Sequence, residues 1–194
     1  MSVALWVGCI AFSLMYPLTK YSGKLKSGLT WWGSKASVLY LIALLQAAVM
    51  IFMLHLCDGF KPVEMGKTLA VACLASVAFM SVMYFFTNTF GKVGSFLMLV
   101  FMVIQLAGSV GTYPLELSGS FVPYLHDWVP FTYTVEAFRS TISGGESIQE
   151  AVIFLTVLWI VFTLLTILEF QIRTLKMKRG KRTLDNWLEE KGLA

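Results

Sequence analysis

The chain has 194 residues, of which 57% are hydrophobic and only 13% charged. A soluble domain is about one quarter charged, so this composition excludes an ordinary soluble fold. The formal net charge of +4 would suit a nucleic-acid binder, but the placement of the basic residues, described below, excludes that class.

Five windows of low charge follow one another, at about 1–19, 36–57, 68–88, 94–111 and 151–169. Each is close to the roughly 20 residues that a helix needs to cross about 30 Å of hydrocarbon. None alternates apolar and polar residues as a barrel strand does. The expected fold is therefore all-α and integral to a membrane, with five transmembrane helices. The first window has no basic stretch before it and no small-residue cleavage site after it, so it does not read as a secretory signal. Cys9, Cys57 and Cys73 fall in or beside these windows without CxxC spacing and read as buried thiols.

The connections carry the charge. The first, 20–35, holds Lys20, Lys24, Lys26 and Lys35 without an acid, together with Trp31 and Trp32. Lys92 stands between the third and fourth windows. After the fifth come Arg173, Lys176, Lys178, Arg179, Lys181, Arg182 and Lys191. Twelve of the 15 basic residues thus fall on one side of the membrane, leaving Lys61, Lys67 and Arg139 on the other. Lysine and arginine in short loops mark the cytoplasmic face, so the N-terminus is expected outside and the C-terminus in the cytoplasm. The basic residues orient the chain and meet anionic lipid, and nucleic acid is not an expected partner.

The connection between the fourth and fifth windows is about forty residues long, and structureless loops of that length are uncommon. It is rich in aromatic residues and carries Pro114, Pro123 and Pro130, which rule out one continuous helix. Such a segment fits a re-entrant helical hairpin over 112–143 at the outer leaflet, turning near 118–123 and returning from Pro130. Gly108, Gly111 and Gly119 soften its bends, and Glu116, Glu136 and Arg139 are its ionisable groups. Glu136 and Arg139 are spaced i, i+3 on one helix face. They read either as a local ion pair or as an outer gate, since charges at membrane depth mark pathways.

The sequence "QLAGSVGTYPLEL" at 105–117, followed by "VPFTYTVEAFR" at 129–139, resembles the signature of the YhgE/Pip (phage infection protein) family, a group of ABC-2-type permease-like membrane proteins. Tyr133 belongs to its Pro-x-Thr-Tyr element. The resemblance implies an ABC-2 permease-like fold with a re-entrant hairpin before the last span. It also implies a family N-terminal span and a large extracellular region that this chain lacks. The chain is then expected to be a fragment, a shortened product, or a subunit completed by another chain. In such permeases the cytoplasmic loop between the second and third spans touches an ATPase, and 20–35 stands in that register. It reads either as that contact or as a lipid anchor.

No catalytic constellation is apparent, and neither an enzyme nor a cofactor is expected. His55 and His126 lack ligand partners at metal spacing, and no phosphate-binding GxxxxGK[ST] occurs, so an ATPase would be a separate polypeptide. Gln46 and Gln105 read as interhelical glue, and Glu169 with Arg173 as a helix pair. The polytopic domain is taken as 1–171. The tail 172–194 is basic, and Leu184, Trp187 and Leu188 give it an amphipathic stretch for the inner leaflet. The leading expectation is a permease-like domain for export or cell-surface assembly in a bacterial plasma membrane, acting as a homodimer or with another chain. The alternative is a non-transporting receptor or scaffold, for phage, bacteriocin or type VII secretion.

Overall fold

A computed structural model describes residues 1–16, 27–57, 59–108, 128–145 and 147–178. Among the described residues there are six helices and no strand. They are α1 (Ser2–Met15), α2 (Gly28–Cys57), α3 (Met65–Phe90), α4 (Lys92–Gly108), α5 (Pro130–Ser143) and α6 (Gln149–Lys178).

Helices α2, α3 and α6 have 30, 26 and 30 residues. At 1.5 Å per residue they reach about 40–45 Å, more than the hydrocarbon thickness. These three are long and apolar enough to cross a membrane, while α1 and α4 are shorter apolar helices. The multi-pass architecture expected from the sequence is therefore present in its coarser form.

Helix α3 is the hub. It touches all five other helices, and two thirds of its most apolar window is buried, against about a fifth for α2 and α6. The sequence explains this: Ala72, Ala75, Ser76 and Ala78 are fully buried, and small side chains let neighbouring backbones approach. The outer helices instead turn apolar residues away from the bundle, such as Leu41 and Phe52 on α2, Phe96 and Val103 on α4, and Ile153 and Leu164 on α6. Hydrocarbon is the solvent that such a surface requires.

The helices alternate in direction. Near one end, Ser13 of α1 accepts a 3.4 Å hydrogen bond from Thr87 of α3, which also shares one of 3.1 Å with Ser95 of α4. At that same end Trp31, near the start of α2, meets the ring of Phe170 on α6 edge-on at 4.9 Å. Lys92 and Lys176 lie there too, so it is called the basic end below. The opposite end holds the close of α2, the start of α3, the close of α5 and the start of α6.

Helix α5 is the exception to full-length packing. Pro130 is its first residue, a position where a missing N–H costs nothing. Its first turn lies deep in the bundle, where Phe131 packs against Trp6 of α1 at 5.5 Å and Phe79 of α3 at 5.7 Å. Its last turn lies at the opposite end, where Val63 N–H donates to Ile142 carbonyl at 3.1 Å and Glu64 N–H to Thr141 carbonyl at 3.2 Å. Helix α5 thus runs from the depth of Phe79, about 20 Å along α3, out to the level where α3 begins.

Several boundaries differ from expectation. Helix α2 starts at Gly28, so Trp31, Trp32 and Lys35 lie on a helix and not in a loop. Ser27 Oγ accepts from Leu29 N–H at 3.2 Å and caps that first turn. A side chain at Gly28 would collide with the Phe170–Gln171 backbone, so the glycine that looks like a loop marker is a helix-packing contact. Helix α6 continues through Lys178, beyond the expected close of the last span. Cys57 is exposed, unlike the buried Cys9.

Candidate functional site

Three polar features stand out in an otherwise apolar bundle: a groove at the opposite end, a node at mid-depth, and an ion pair near the basic end.

The groove forms where α5 closes and α6 begins. Glu136, Arg139, Ser140, Ser143 and Gly145 line a concavity of about 500 Å³. A second of about 340 Å³ shares Ser140 and Gly145 and adds Glu64, Lys67 and Gln149. Glu64 and Lys67 pair across 2.8 Å but are both exposed, so their attraction contributes little. The backbone clasp between 63–64 and 141–142 forms one wall. It satisfies carbonyls that the last turn of a helix leaves without partners. His55, in the last turn of α2, bonds within the connection that leads to α3, its Nδ1–H donating to the Phe60 carbonyl at 2.9 Å.

Of the residues expected in the hairpin, Pro130 and Tyr133 are placed on α5, where the Tyr133 ring stacks on Phe154 of α6 at 3.9 Å. Glu136 and Arg139 both face the groove. Gly108 closes α4 and is buried. Gly111, Pro114, Glu116 and Gly119 lie outside the described residues, as does His126.

The mid-depth node centres on Gln46 of α2. Its amide N–H groups face Ser76 Oγ at 2.7 Å, Cys9 Sγ at 3.1 Å and the Leu5 carbonyl at 3.2 Å. Ser76 in turn donates to the Ala43 carbonyl at 2.6 Å. One side chain therefore joins α1, α2 and α3, and the glue expected of Gln46 is present. Its Oε1 lies where a side chain at Gly8 would stand, so the node also needs a glycine on α1. Gln105, expected to act in the same way, is fully buried, yet its amide has no hydrogen-bond partner among the described residues.

With this geometry in place, comparison with known proteins decides the family. Residues 25–168, most of the bundle, match the family described as "ABC-2 family transporter protein". The chain belongs to the ABC-2 transporter family. It is also 32% identical over 146 residues to "Uncharacterized protein YhgE" of Bacillus subtilis (strain 168), a stretch that is 75% of this chain and 19% of that protein. The chain thus spans about a fifth of the length of the relative it matches. No solved structure matches it. The YhgE-like resemblance read from 105–117 and 129–139 stands, and the chain is a permease-like ABC-2 membrane domain.

At the basic end of this ABC-2 domain, Arg173 is not the surface cation that the tail suggested. Only 6% of its side chain is exposed. Its guanidinium donates to the Asn88 carbonyl at 2.8 Å and to Glu169 Oε1 at 2.7 Å. Glu169 Oε2 accepts from Thr89 Oγ1 at 2.7 Å, so the ion pair on α6 is bolted to the close of α3. Partnered in this way, a charge near hydrocarbon is tolerable. Lys176, by contrast, is exposed.

Trp31 is buried against Phe170, and the Trp32 carbonyl accepts from Tyr84 Oη at 3.5 Å. Lys35 Nζ stands 4.8 Å above the Tyr16 ring, joining α2 to the close of α1. The partner- or lipid-contacting segment therefore splits: Trp31 serves packing, and Lys35 holds α1. Lys20, Lys24, Lys26, Arg179, Lys181, Arg182 and Trp187 lie outside the described residues, and Lys178 closes α6.

Proposed function

We propose that this ABC-2 domain works in export or cell-surface assembly across a bacterial plasma membrane, with α5 as the return limb of a re-entrant hairpin that forms its outer gate. The observation that carries this reading is the placement of α5. A 14-residue helix is too short to span, yet it penetrates to the Trp6–Phe79 layer and is tethered at the opposite end by backbone hydrogen bonds. Non-helical backbone next to such a helix is tolerable only against protein or water, which suits a pathway wall.

In this reading the basic end is cytoplasmic, and α1, α2, α3, α4 and α6 are the five spans. The domain is non-enzymatic and draws energy from a separate ATPase chain docked at the basic end. It works as a homodimer or with another chain, because one bundle has too little interior for a complete pathway.

The test is a deletion strain of the host, complemented with the native gene or with an Arg139→Ala form. Loss of a specific exported or surface-assembled material in the deletion and in the Arg139→Ala strain supports the proposal. An unchanged surface and secretome, with loss of phage or bacteriocin sensitivity alone, would replace it with the receptor reading.

A further inference from the structure

Deep in the bundle, Trp6 of α1 is the centre of an aromatic layer. It lies 4.9 Å from Phe79 of α3, 5.9 Å from Phe101 of α4 and 5.5 Å from Phe131 of α5. Residues three or four apart share a helix face, so the next layer toward the opposite end follows from the sequence. On α1 it holds Ser2, on α4 Gln105, on α5 Thr134 and on α3 Ala75. Their exposures are 4%, 0%, 0% and 0%.

This layer differs from the one below it. Three of its four side chains are polar, and the alanine fills little of the space that Phe79 fills a turn away. Thr134 satisfies its hydroxyl on its own helix, donating to the Pro130 and Phe131 carbonyls at 3.1 and 3.0 Å. Ser2 Oγ and both polar atoms of the Gln105 amide have no hydrogen-bond partner among the described residues. A buried amide or hydroxyl without a partner costs about 1–3 kcal/mol, and the amide counts twice, as donor and as acceptor. None of the four side chains that make up the layer is charged, which suits a neutral ligand.

We infer that the Ser2–Gln105–Thr134 layer is a binding site for water in the interior of the bundle, between the aromatic layer and the groove end. Buried waters occur where two to four otherwise unsatisfied polar groups converge with room beside them. Here a donor-and-acceptor amide, a hydroxyl without a partner among the described residues and the acceptor lone pairs of Thr134 share one layer of helix register, and α3 contributes only the small Ala72 and Ala75 on that face. The inference does not depend on the domain transporting anything. A water site here would place solvent one turn above Phe131, with the aromatic layer as the seal beneath it.

Radiolytic hydroxyl footprinting reads this directly, because bound water yields radicals that modify adjacent rings. The full chain is irradiated in lipid nanodiscs, with Trp6 and Phe131 measured against Trp31 and Phe170. These are the same residue types, at most 2% exposed, in a second aromatic layer. Trp6 and Phe131 are expected to be modified several-fold faster, and that excess should collapse in Ser2→Ala/Gln105→Leu. Equal rates in the native chain would overturn the inference, as would an excess that the double variant leaves unchanged. Should that variant not give a monodisperse protein, Gln105→Met alone carries the same comparison.

Discussion

Arg173 reaches back 85 residues to the Asn88 carbonyl, at 2.8 Å, while holding Glu169 on its own helix at 2.7 Å. A cation from the last helix is thus spent on the end of the central one. Because the guanidinium is buried, removing it leaves Glu169 and the Asn88 carbonyl short of a donor. Arg173→Met should cost about 2–4 kcal/mol of stability, since breaking a buried pair is dearer than replacing it. The double change Arg173→Met/Glu169→Leu should recover much of that loss, because Thr89 keeps a second acceptor at Phe85. Thermal unfolding in detergent decides it. Equal losses in the single and double variants would mean that the pair adds nothing beyond packing.

Gly8 and Gln46 make a second testable pair. A methyl group on Gly8 would occupy the place of Gln46 Oε1, and overpacking of this kind costs about 1–3 kcal/mol. Gly8→Ala is expected to destabilise the bundle by that amount. In a Gln46→Ala background it should cost much less, a coupling that a double-mutant cycle measures. If the two losses simply add, the amide swings aside and the node does not position α1.

The topology admits a simple check. Twelve of 15 basic residues fall on one side of the expected membrane, so Ser27 should face the cytoplasm and Glu64 the exterior. In intact cells a membrane-impermeant thiol reagent should label Glu64→Cys and not Ser27→Cys, with Cys57 replaced in the background. The reverse pattern would invert the orientation and move the proposed gate to the cytoplasmic side.

How far the sequence carried depended on whether a feature was local. Windows such as 68–88 and 151–169 were legible because hydrophobic length needs no partner. The start of α5 was legible too, because Pro130 is a local start signal. The start of α2 was not: "SGLTWWGSK" looks like a loop, and its helix is held by the Trp31–Phe170 contact between distant segments. Gln46 read correctly as glue, but nothing nearby in sequence named Ser76 or Gly8. Arg173 was hidden among six other basic residues, and its i+4 spacing from Glu169 was the one signal that set it apart. Gln105 looked the same as Gln46 in sequence, and only the surrounding helices separate an amide with partners from one that has none among the described residues.

Glu136 and Arg139 bear on the nature of α5 itself. Both line the groove near the close of that helix, on the face away from the buried Thr134, Ala137 and Thr141. If α5 returns through the outer leaflet, each charge depends on the other for its solvation near hydrocarbon. Arg139→Ala alone should then lower folded yield in detergent more than Arg139→Ala/Glu136→Ala, because a lone carboxylate is the expensive state. If α5 instead belonged to an ordinary external loop, water would solvate both groups and the two losses would be small and additive. The depth of α5 supplies an independent reading, since Thr134→Cys should resist an impermeant thiol reagent that labels Ser143→Cys. Full labelling at both positions, together with additive losses, would remove the re-entrant hairpin and leave α5 a surface helix.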